Sequence, residues 1–499
     1  MTTAIDITLV SHTNAGKTTL LRTLVRRDVG EVADRAHVTS RADAHVLVET
    51  PEGDVLRLWD TPGFGDSVRL LKRLRMSSNP IGWFLTRVWD RYTDRPFFNS
   101  QIAIRNVRER TDVVLYLVNA AEDPASAAYV DVELRILDWM KRPVLVLLNQ
   151  MGAPRPRDQE AAEEELWRAH IARHPAAVGP VAMDAFARCW VQEDRLLAAV
   201  ADLLAGGKAA AFDRIRTTWR TGNLTIFVRS MEILAKQLAL AATDREARSA
   251  PGLAHRLTRW LKQWRTRPAQ LEPEVEAAMN SLGERLAVSV KEATDELIAL
   301  HGLSGRSEKL ILERLAGDAA VVKEPVDVGA TGVLGGFVTG AATGLAADLV
   351  AGGMSLGAGA LIGGIVGAFG GAGAAHAYNL AREADELHVG WSGKFLTQRV
   401  QAALLRYLAI AHFGRGRGDW IEGEYPPHWQ TRVSGLVSRN AQALEDAWGA
   451  AHRGASPNEV AQWLQPIMTR LAAETLVRLY PESARIFEAA DARSAACDL

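Results

Sequence analysis

The sequence predicts an α/β domain built on a mostly parallel sheet, followed by a mostly α-helical region that contains a Gly/Ala-rich helical hairpin. Three observations carry this. Short β-rich runs alternate with helix-like runs through about the first two hundred residues. No strand candidate follows Met183. Charge almost vanishes over 326–381, where glycine and alanine dominate.

The strand candidates are Ile5–Val10, His45–Glu49, Val55–Trp59, Val113–Val118, Val144–Leu148 and Val178–Met183. Helical segments Lys17–Arg26, Ala127–Met140, Gln159–Arg173 and Glu193–Leu204 lie between or after them. Strands alternating with helices imply right-handed crossovers and parallel neighbours. The runs VVLYLV and VLVLL are apolar throughout, as strands covered on both faces must be. Beyond Gly206–Gly207, residues 209–320 read as long helices without strands. There Ile226, Met231, Leu234 and Leu238 recur at helical spacing, and Pro251, Pro268 and Pro273 interrupt. The expected domains are 1–205, with an insert at about 64–112, then 206–325, 326–381 and 382–499.

Composition excludes several classes. The 499 residues hold 58 Lys+Arg against 59 Asp+Glu, so the whole chain is not a polycation that grips nucleic acid. With 48% hydrophobic and 23% charged residues it is ordinary globular material. Cys189 and Cys497 are the only cysteines, which excludes a disulfide framework or a cysteine zinc site and suits a reducing compartment. MTTAIDITLV has no basic segment and no cleavage site, so no secretory signal is read there.

The strongest motif is Ser11-His-Thr-Asn-Ala-Gly-Lys-Thr18, between the first strand and a helix. It is G-x-x-x-x-G-K-[ST] with serine in place of the first glycine, the pattern of a phosphate loop. Main-chain N–H groups along Ser11, Thr13, Asn14, Ala15, Gly16, Lys17, Thr18 and Thr19 are the expected nucleotide contacts. Gly16 allows close approach, Lys17 reaches the β- and γ-phosphates, and the Thr18 hydroxyl ligates Mg²⁺. A second motif, Asp60-Thr-Pro-Gly63, stands at the tip of the third strand. Asp60 suits an indirect Mg²⁺ ligand, and Gly63 would offer its N–H to the γ-phosphate.

With these two motifs, residues 1–205 resemble a translation-factor-class (TRAFAC) P-loop GTPase of the Era, TrmE and septin kind, Asp60–Asp66 being similar to the start of their switch II. The whole chain resembles a bacterial family in which such a domain precedes a C-terminal domain of unknown function. The resemblance implies GTP/GDP and Mg²⁺ as ligands. Phe64 stands where Ras-like enzymes carry the water-orienting glutamine, and a phenyl ring can make no such hydrogen bond. TrmE-like members use an asparagine at the position of Asn14 to bind K⁺, often across a G-domain homodimer. The same role is expected here, the alternative being a hydrogen bond within the loop. Switch I is expected between Arg27 and His45, where His37-Val-Thr-Ser-Arg41 is similar to an Era-like stretch. Thr39 is the first choice for the hydroxyl on Mg²⁺ and Ser40 the second. Lys17, Thr39 and Gly63 are thus the expected catalytic set.

The guanine-reading motif departs from its pattern. Asn149-Gln150-Met151-Gly152 keeps the asparagine, but Gln150 replaces lysine and Gly152 replaces the aspartate that accepts from the base. Loss of that acceptor puts guanine specificity in question. After the sixth strand, Met183-Asp-Ala-Phe186 stands where relatives have Ser-Ala-Lys. Asp184, with Ala185, either supplies a substitute contact to the base or caps the next turn.

Gly63 to Val113 spans 50 residues, about twice what such a domain needs. The stretch is basic and aromatic: Arg69, Lys72, Arg73, Arg75, then Trp83, Phe84, Trp89, Phe97, Phe98, then Arg105, Arg108, Arg110. It reads as an effector or dimer surface, or as two amphipathic helices packed on the domain. Arginine beside aromatics also suits base stacking, without a clear nucleic-acid signal. Arg245–Arg267 is a second such run, in which Trp260 and Trp264 share a helix face, as in a helix at an anionic lipid surface or a domain-packing helix.

Asp348 is the only charge between Val328 and Ala381. Gly332, Gly336, Gly340 and Gly344, then Gly359, Gly363, Gly367 and Gly371, form a glycine zipper, with Gly352–Gly353 at the turn. Each arm is long enough to enter a membrane, yet Asp348 and weak hydrophobicity also fit a buried hairpin. The expected protein is a nucleotide switch, cytoplasmic or peripheral or integral at the inner membrane. Its expected partners are nucleotide, a second G domain and a membrane or membrane protein. The rival readings are a non-hydrolysing pseudo-GTPase scaffold and a septin- or dynamin-like membrane assembly.

Overall fold

The structure, a computed structural model, describes residues 2–13, 15–26, 43–75, 95–152, 155–184, 189–249, 273–304, 378–383, 386–413 and 426–489. The chain divides into two compact units. One is Met1–Ile226 with Ala411–Gly418 and Leu476–Leu499; the other is Phe227–Ile410 with Asp419–Thr475.

The first unit holds six strands: β1 (Ala4–Ser11), β2 (Asp43–Glu49), β3 (Val55–Asp60), β4 (Val113–Asn119), β5 (Val144–Asn149) and β6 (Ala177–Ala182). They form one sheet in the order β2-β3-β1-β4-β5-β6. Only β2 runs antiparallel to its neighbour. All of β5, and all of β4 except Asn119, is buried. This is what apolar strands between two helical layers require, each Val or Leu contributing roughly 1.5–3 kcal/mol.

The helices are α1 (Lys17–Val25), α2 (Ser67–Arg75), α3 (Arg95–Arg110), α4 (Ala128–Asp138), α5 (Arg157–Ile171) and α6 (Trp190–Ala201). The expected elements of this unit are present, with ends moved by a turn or less. Leu9 pairs with Asp60, and Asn119 with Asn149. The parallel strands therefore finish level, and the loops after β1, β3 and β5 emerge along one edge, where ligands of open α/β sheets bind.

The insert begins and ends in helices, α2 and α3; Trp83, Phe84 and Trp89 lie outside the described residues. Helix α3 packs on the sheet. Ala103, Ile104 and Val107 are buried, and Asn106 Oδ1 accepts from the Thr8 hydroxyl at 2.9 Å. The Arg110 guanidinium lies 4.9 Å from the centre of the Trp59 ring.

The second unit is mostly helical, with a small sheet that corrects the sequence reading. Strands β7 (Arg245–Ser249), β8 (Tyr378–Glu383) and β9 (Glu386–Trp391) pair antiparallel in the order β7-β9-β8. The expectation of a strandless 209–320 fails at β7, as does a helix over the first residues of Arg245–Arg267. Residues 378–381, assigned to the hairpin, are strand, and the helical reading of 382–499 fails over β9. Long-range pairing overrides local composition here. Asn379 to Gly390 and Arg245 to Gly390 are aligned across β9, though β7 carries little apolar side chain of its own.

The helices α7 (Gly207–Thr243), α8 (Pro273–Leu300), α9 (Gly393–Ala411), α10 (Pro427–Arg439), α11 (Ala441–His452) and α12 (Pro457–Leu479) complete the described elements of regular α-helix. Met231, Leu234 and Leu238 are buried as their spacing predicts, with Phe227 in place of the half-buried Ile226. Trp391 is buried and stacks on Phe395, ring centres 4.4 Å apart. The glycine-zipper positions and Trp260 and Trp264 lie outside the described residues. Among those described, no helix is long and apolar enough to cross a membrane.

Candidate nucleotide site

The loop after β1 turns into α1 through Gly16, whose φ of 86° is left-handed. A Cβ there would stand 2.5 Å from Asn149 Nδ2. Glycine is thus demanded twice, by backbone conformation and by the neighbour from β5. Asn149 is fully buried and donates from Nδ2 to the Ala15 carbonyl at 2.8 Å. The asparagine of the base motif therefore braces the phosphate loop from below. Gln150 lies along the same turn, its Nε2 3.9 Å from the point a Gly16 Cβ would occupy.

Lys17 opens α1 and is buried, 8% exposed. Its Nζ donates to Ser11 Oγ at 3.2 Å. Burial pushes the Lys17 ammonium below its ordinary pKa, while the carboxylates of Asp60 and Glu133 pull it back up. A cation in such a place gains most from a further negative charge, which is what a phosphate brings. Ser11, fully buried, holds the loop through its side chain. Its hydroxyl accepts from Lys17 and donates to the His12 carbonyl.

The loop after β3 is fastened to the first. Phe64 N–H donates to the Ser11 carbonyl, and the Thr13 hydroxyl donates to the Phe64 carbonyl, both at 2.9 Å. The Thr61 hydroxyl donates to the Leu9 carbonyl at 2.6 Å. A Cβ on Gly63 would come within 3.1 Å of both Lys17 Nζ and Thr13 Cα. The Phe64 ring is fully buried with Leu70, Leu74, Ala103 and Val107. Its side chain is committed to the core.

Thr18 Oγ1 donates to Asp60 Oδ2 at 3.1 Å. A hydroxyl and a carboxylate, adjacent and both oxygen, are the donors a hard divalent cation takes, so the pair fits Mg²⁺. Asn14, Thr39, Ser40 and Ala185 lie outside the described residues.

At the base side, Gly152 has φ of 83°, and among the described residues a Cβ there would meet nothing within 4 Å. Asp184 is 7% exposed, and its Oδ2 accepts from the Met151 N–H at 2.7 Å. It ties the β6 tip to the base loop, which neither reading of the sequence foresaw.

Sequence reasoning also left His12 without a role. Its Nδ1 lies 2.7 Å from Glu133 Oε1, and its ring lies over Tyr129 with centres 4.4 Å apart. Glu133 was legible in principle: it stands on the buried stripe of α4 with Val130, Leu134 and Leu137, where a lone carboxylate is out of place.

These features define a P-loop GTPase domain of the TRAFAC class. The family described as "50S ribosome-binding GTPase" matches residues 6–150. The "domain of unknown function (DUF3482)" matches residues 179–466, more than half of the chain, and the chain belongs to that family.

Solved structures similar to the first unit include an Era variant from Aquifex aeolicus bound to GDP and AlF4⁻. It shares 19% identity over 41% of this chain and 58% of that one, with a TM-score of 0.31. Era with MgGDPNP and nucleotides 1506–1542 of 16S ribosomal RNA shares 19% identity over 42% and 59%, TM-score 0.31. A probable GTP-binding protein engB shares 15% over 40% and 97%, TM-score 0.23. The chain spans under three fifths of both Era chains, to the nearest per cent 58% and 59%. No curated protein matches.

Gly16→Ala is expected to break the Asn149–Ala15 brace and force a left-handed alanine, which costs about 1–2 kcal/mol. Nucleotide affinity should fall by about tenfold or more, read by titration of a fluorescent GDP.

Proposed function

We propose that this chain is a nucleotide-operated switch. Residues 1–205 bind GTP and GDP with Mg²⁺, hydrolyse GTP slowly, and pass the nucleotide state to the helical region. The observation that carries this reading is the paired loop: a left-handed Gly16 turn braced by Asn149, a buried Lys17, and the Asp60–Phe64 segment hydrogen-bonded to it. In this reading, main-chain amides from Thr13 to Thr19 surround the β-phosphate, and Lys17 spans the β- and γ-phosphates. Thr18 and Asp60, with Thr39 from switch I, would hold Mg²⁺, which when bound neutralises charge on the phosphates. Gly63 offers its N–H to the γ-phosphate. Asn14 helps hold K⁺ in place of an arginine finger, with a second G domain closing the site.

The buried Phe64 ring supports a low intrinsic rate, because the water-orienting position has no hydrogen-bonding side chain. It equally favours a second reading, a non-hydrolysing scaffold. Membrane contact through 326–381 is proposed from the sequence pattern.

Three measurements test the reading. Lys17→Ala is expected to lower GTP and GDP affinity by about a hundredfold or more; unchanged affinity removes the phosphate site. Multiple-turnover phosphate release should be faster in KCl than in NaCl. Equal rates would remove the K⁺ role of Asn14, and no release beyond one turnover would favour the scaffold. Gly152→Asp restores a carboxylate where no described residue stands within 4 Å of the new Cβ, and aspartate is among the residues that tolerate positive φ. It should raise preference for GTP over XTP by about tenfold or more; an unchanged ratio would mean that position 152 does not face the base.

A further inference from the structure

The part of α7 that belongs to the first unit, before Phe227, is fastened there by polar side chains. Lys208 donates to the Asp112 carboxylate. Arg214 Nε donates to Asp54 Oδ2 at 2.7 Å. Arg216 and Arg220 both donate from Nε to Asp194 Oδ1, at 3.1 and 2.6 Å. Asn223 Oδ1 accepts from the Arg26 guanidinium. Asp54 directly precedes β3 and Asp112 directly precedes β4, so both stand at the edge of the sheet opposite the nucleotide loops.

Two of these contacts fall on the far ends of elements whose near ends lie at the nucleotide site. Helix α1 begins with Lys17 and Thr18 and is capped by Arg26, whose φ of 55° is left-handed. Strand β3 follows Asp54 and finishes at Asp60. At the near ends, the Thr18 hydroxyl donates to Asp60 at 3.1 Å. A helix of this length spans about 14 Å and a strand of this length about 20 Å. Each is a regular, hydrogen-bonded element, so a shift at one end is carried to the other. The contacts at Asp112 and Asp194 differ: β4 and α6 carry none of the residues assigned to the phosphates or Mg²⁺.

Both far ends are built to hold. Asp54 is 1% exposed, and its second oxygen accepts from the Thr3 N–H at 2.9 Å. Asn223 is buried, and its Nδ2 donates to the Trp219 carbonyl at 2.9 Å, which turns Oδ1 toward Arg26. A displacement of β3 or α1 against α7 leaves a buried acceptor short of a donor, so α7 moves with them.

We propose that Arg214 and Asn223 are positioning residues that seat the first part of α7 on the far ends of β3 and α1, so that α7 responds to the nucleotide held at the near ends. This rests on the phosphate-site reading above.

The experiment uses the full chain. Hydrogen exchange of the peptide covering Gly207–Ile226 is compared with GDP and with a non-hydrolysable GTP analogue, both with Mg²⁺, beside affinity for fluorescent GDP. Wild type should show different protection in the two states. Arg214→Ala and Asn223→Ala should each narrow that difference, and the double variant should lose it while binding GDP within about threefold of wild type. Lys208→Ala, which cuts only the contact at Asp112, should retain it in full.

Retention of the whole difference in the double variant, or its loss in Lys208→Ala as well, overturns the positioning role. If the double variant does not fold, an unchanged difference in both single variants overturns it. Equal protection of wild type in the two states, with GDP bound, also overturns it while leaving the phosphate site standing. Failure of wild type to bind GDP overturns both.

Discussion

A main chain can wrap an anion only where no side chain stands in the way and something holds the loop open. Both conditions meet at Gly16. Its left-handed backbone directs the loop into α1, and the buried Asn149 amide pins the carbonyl just before it. The brace comes from β5, two strands away from β1 in the sheet order, so the loop is shaped by the sheet as a whole. Burial pushes the pKa of Lys17 down, while Asp60 and Glu133 pull it back up and Ser11 accepts from its ammonium.

Much of the first unit was legible because its signals are local. Apolar runs marked β4 and β5, and the spacing from Ser11 to Thr18 marked the loop and its helix. The turn that starts at Asp60 was legible from the strand run that ends there. What was not legible depends on contacts far apart in sequence. Glu133 reaches His12 across 121 positions, and Asp184 reaches Met151 across 33. Neither pairing has a spacing rule that a single sequence displays.

The second unit shows the reverse case. Its small sheet was missed although Glu386–Trp391 alternates, with Leu387, Val389 and Trp391 on one parity. That alternation runs over only six residues beside a Gly/Ala-rich stretch, and β7 offers no alternation of apolar residues at all. Pairing with β9 makes β7 a strand, a non-local cause that local propensity does not contain. The helices were easier, because Met231, Leu234 and Leu238 repeat over whole turns.

The two nucleotide loops share hydrogen bonds through Ser11, Thr13 and Phe64. In the proposed switch, grip and timing would therefore lie in one material. A lineage under selection for tighter retention of its ligand would change, by the same substitutions, how long the loaded form persists, and the two traits would drift together. Independent adjustment would have to come from surfaces remote from this junction, which leaves the helical half of the chain as the freer ground for divergence.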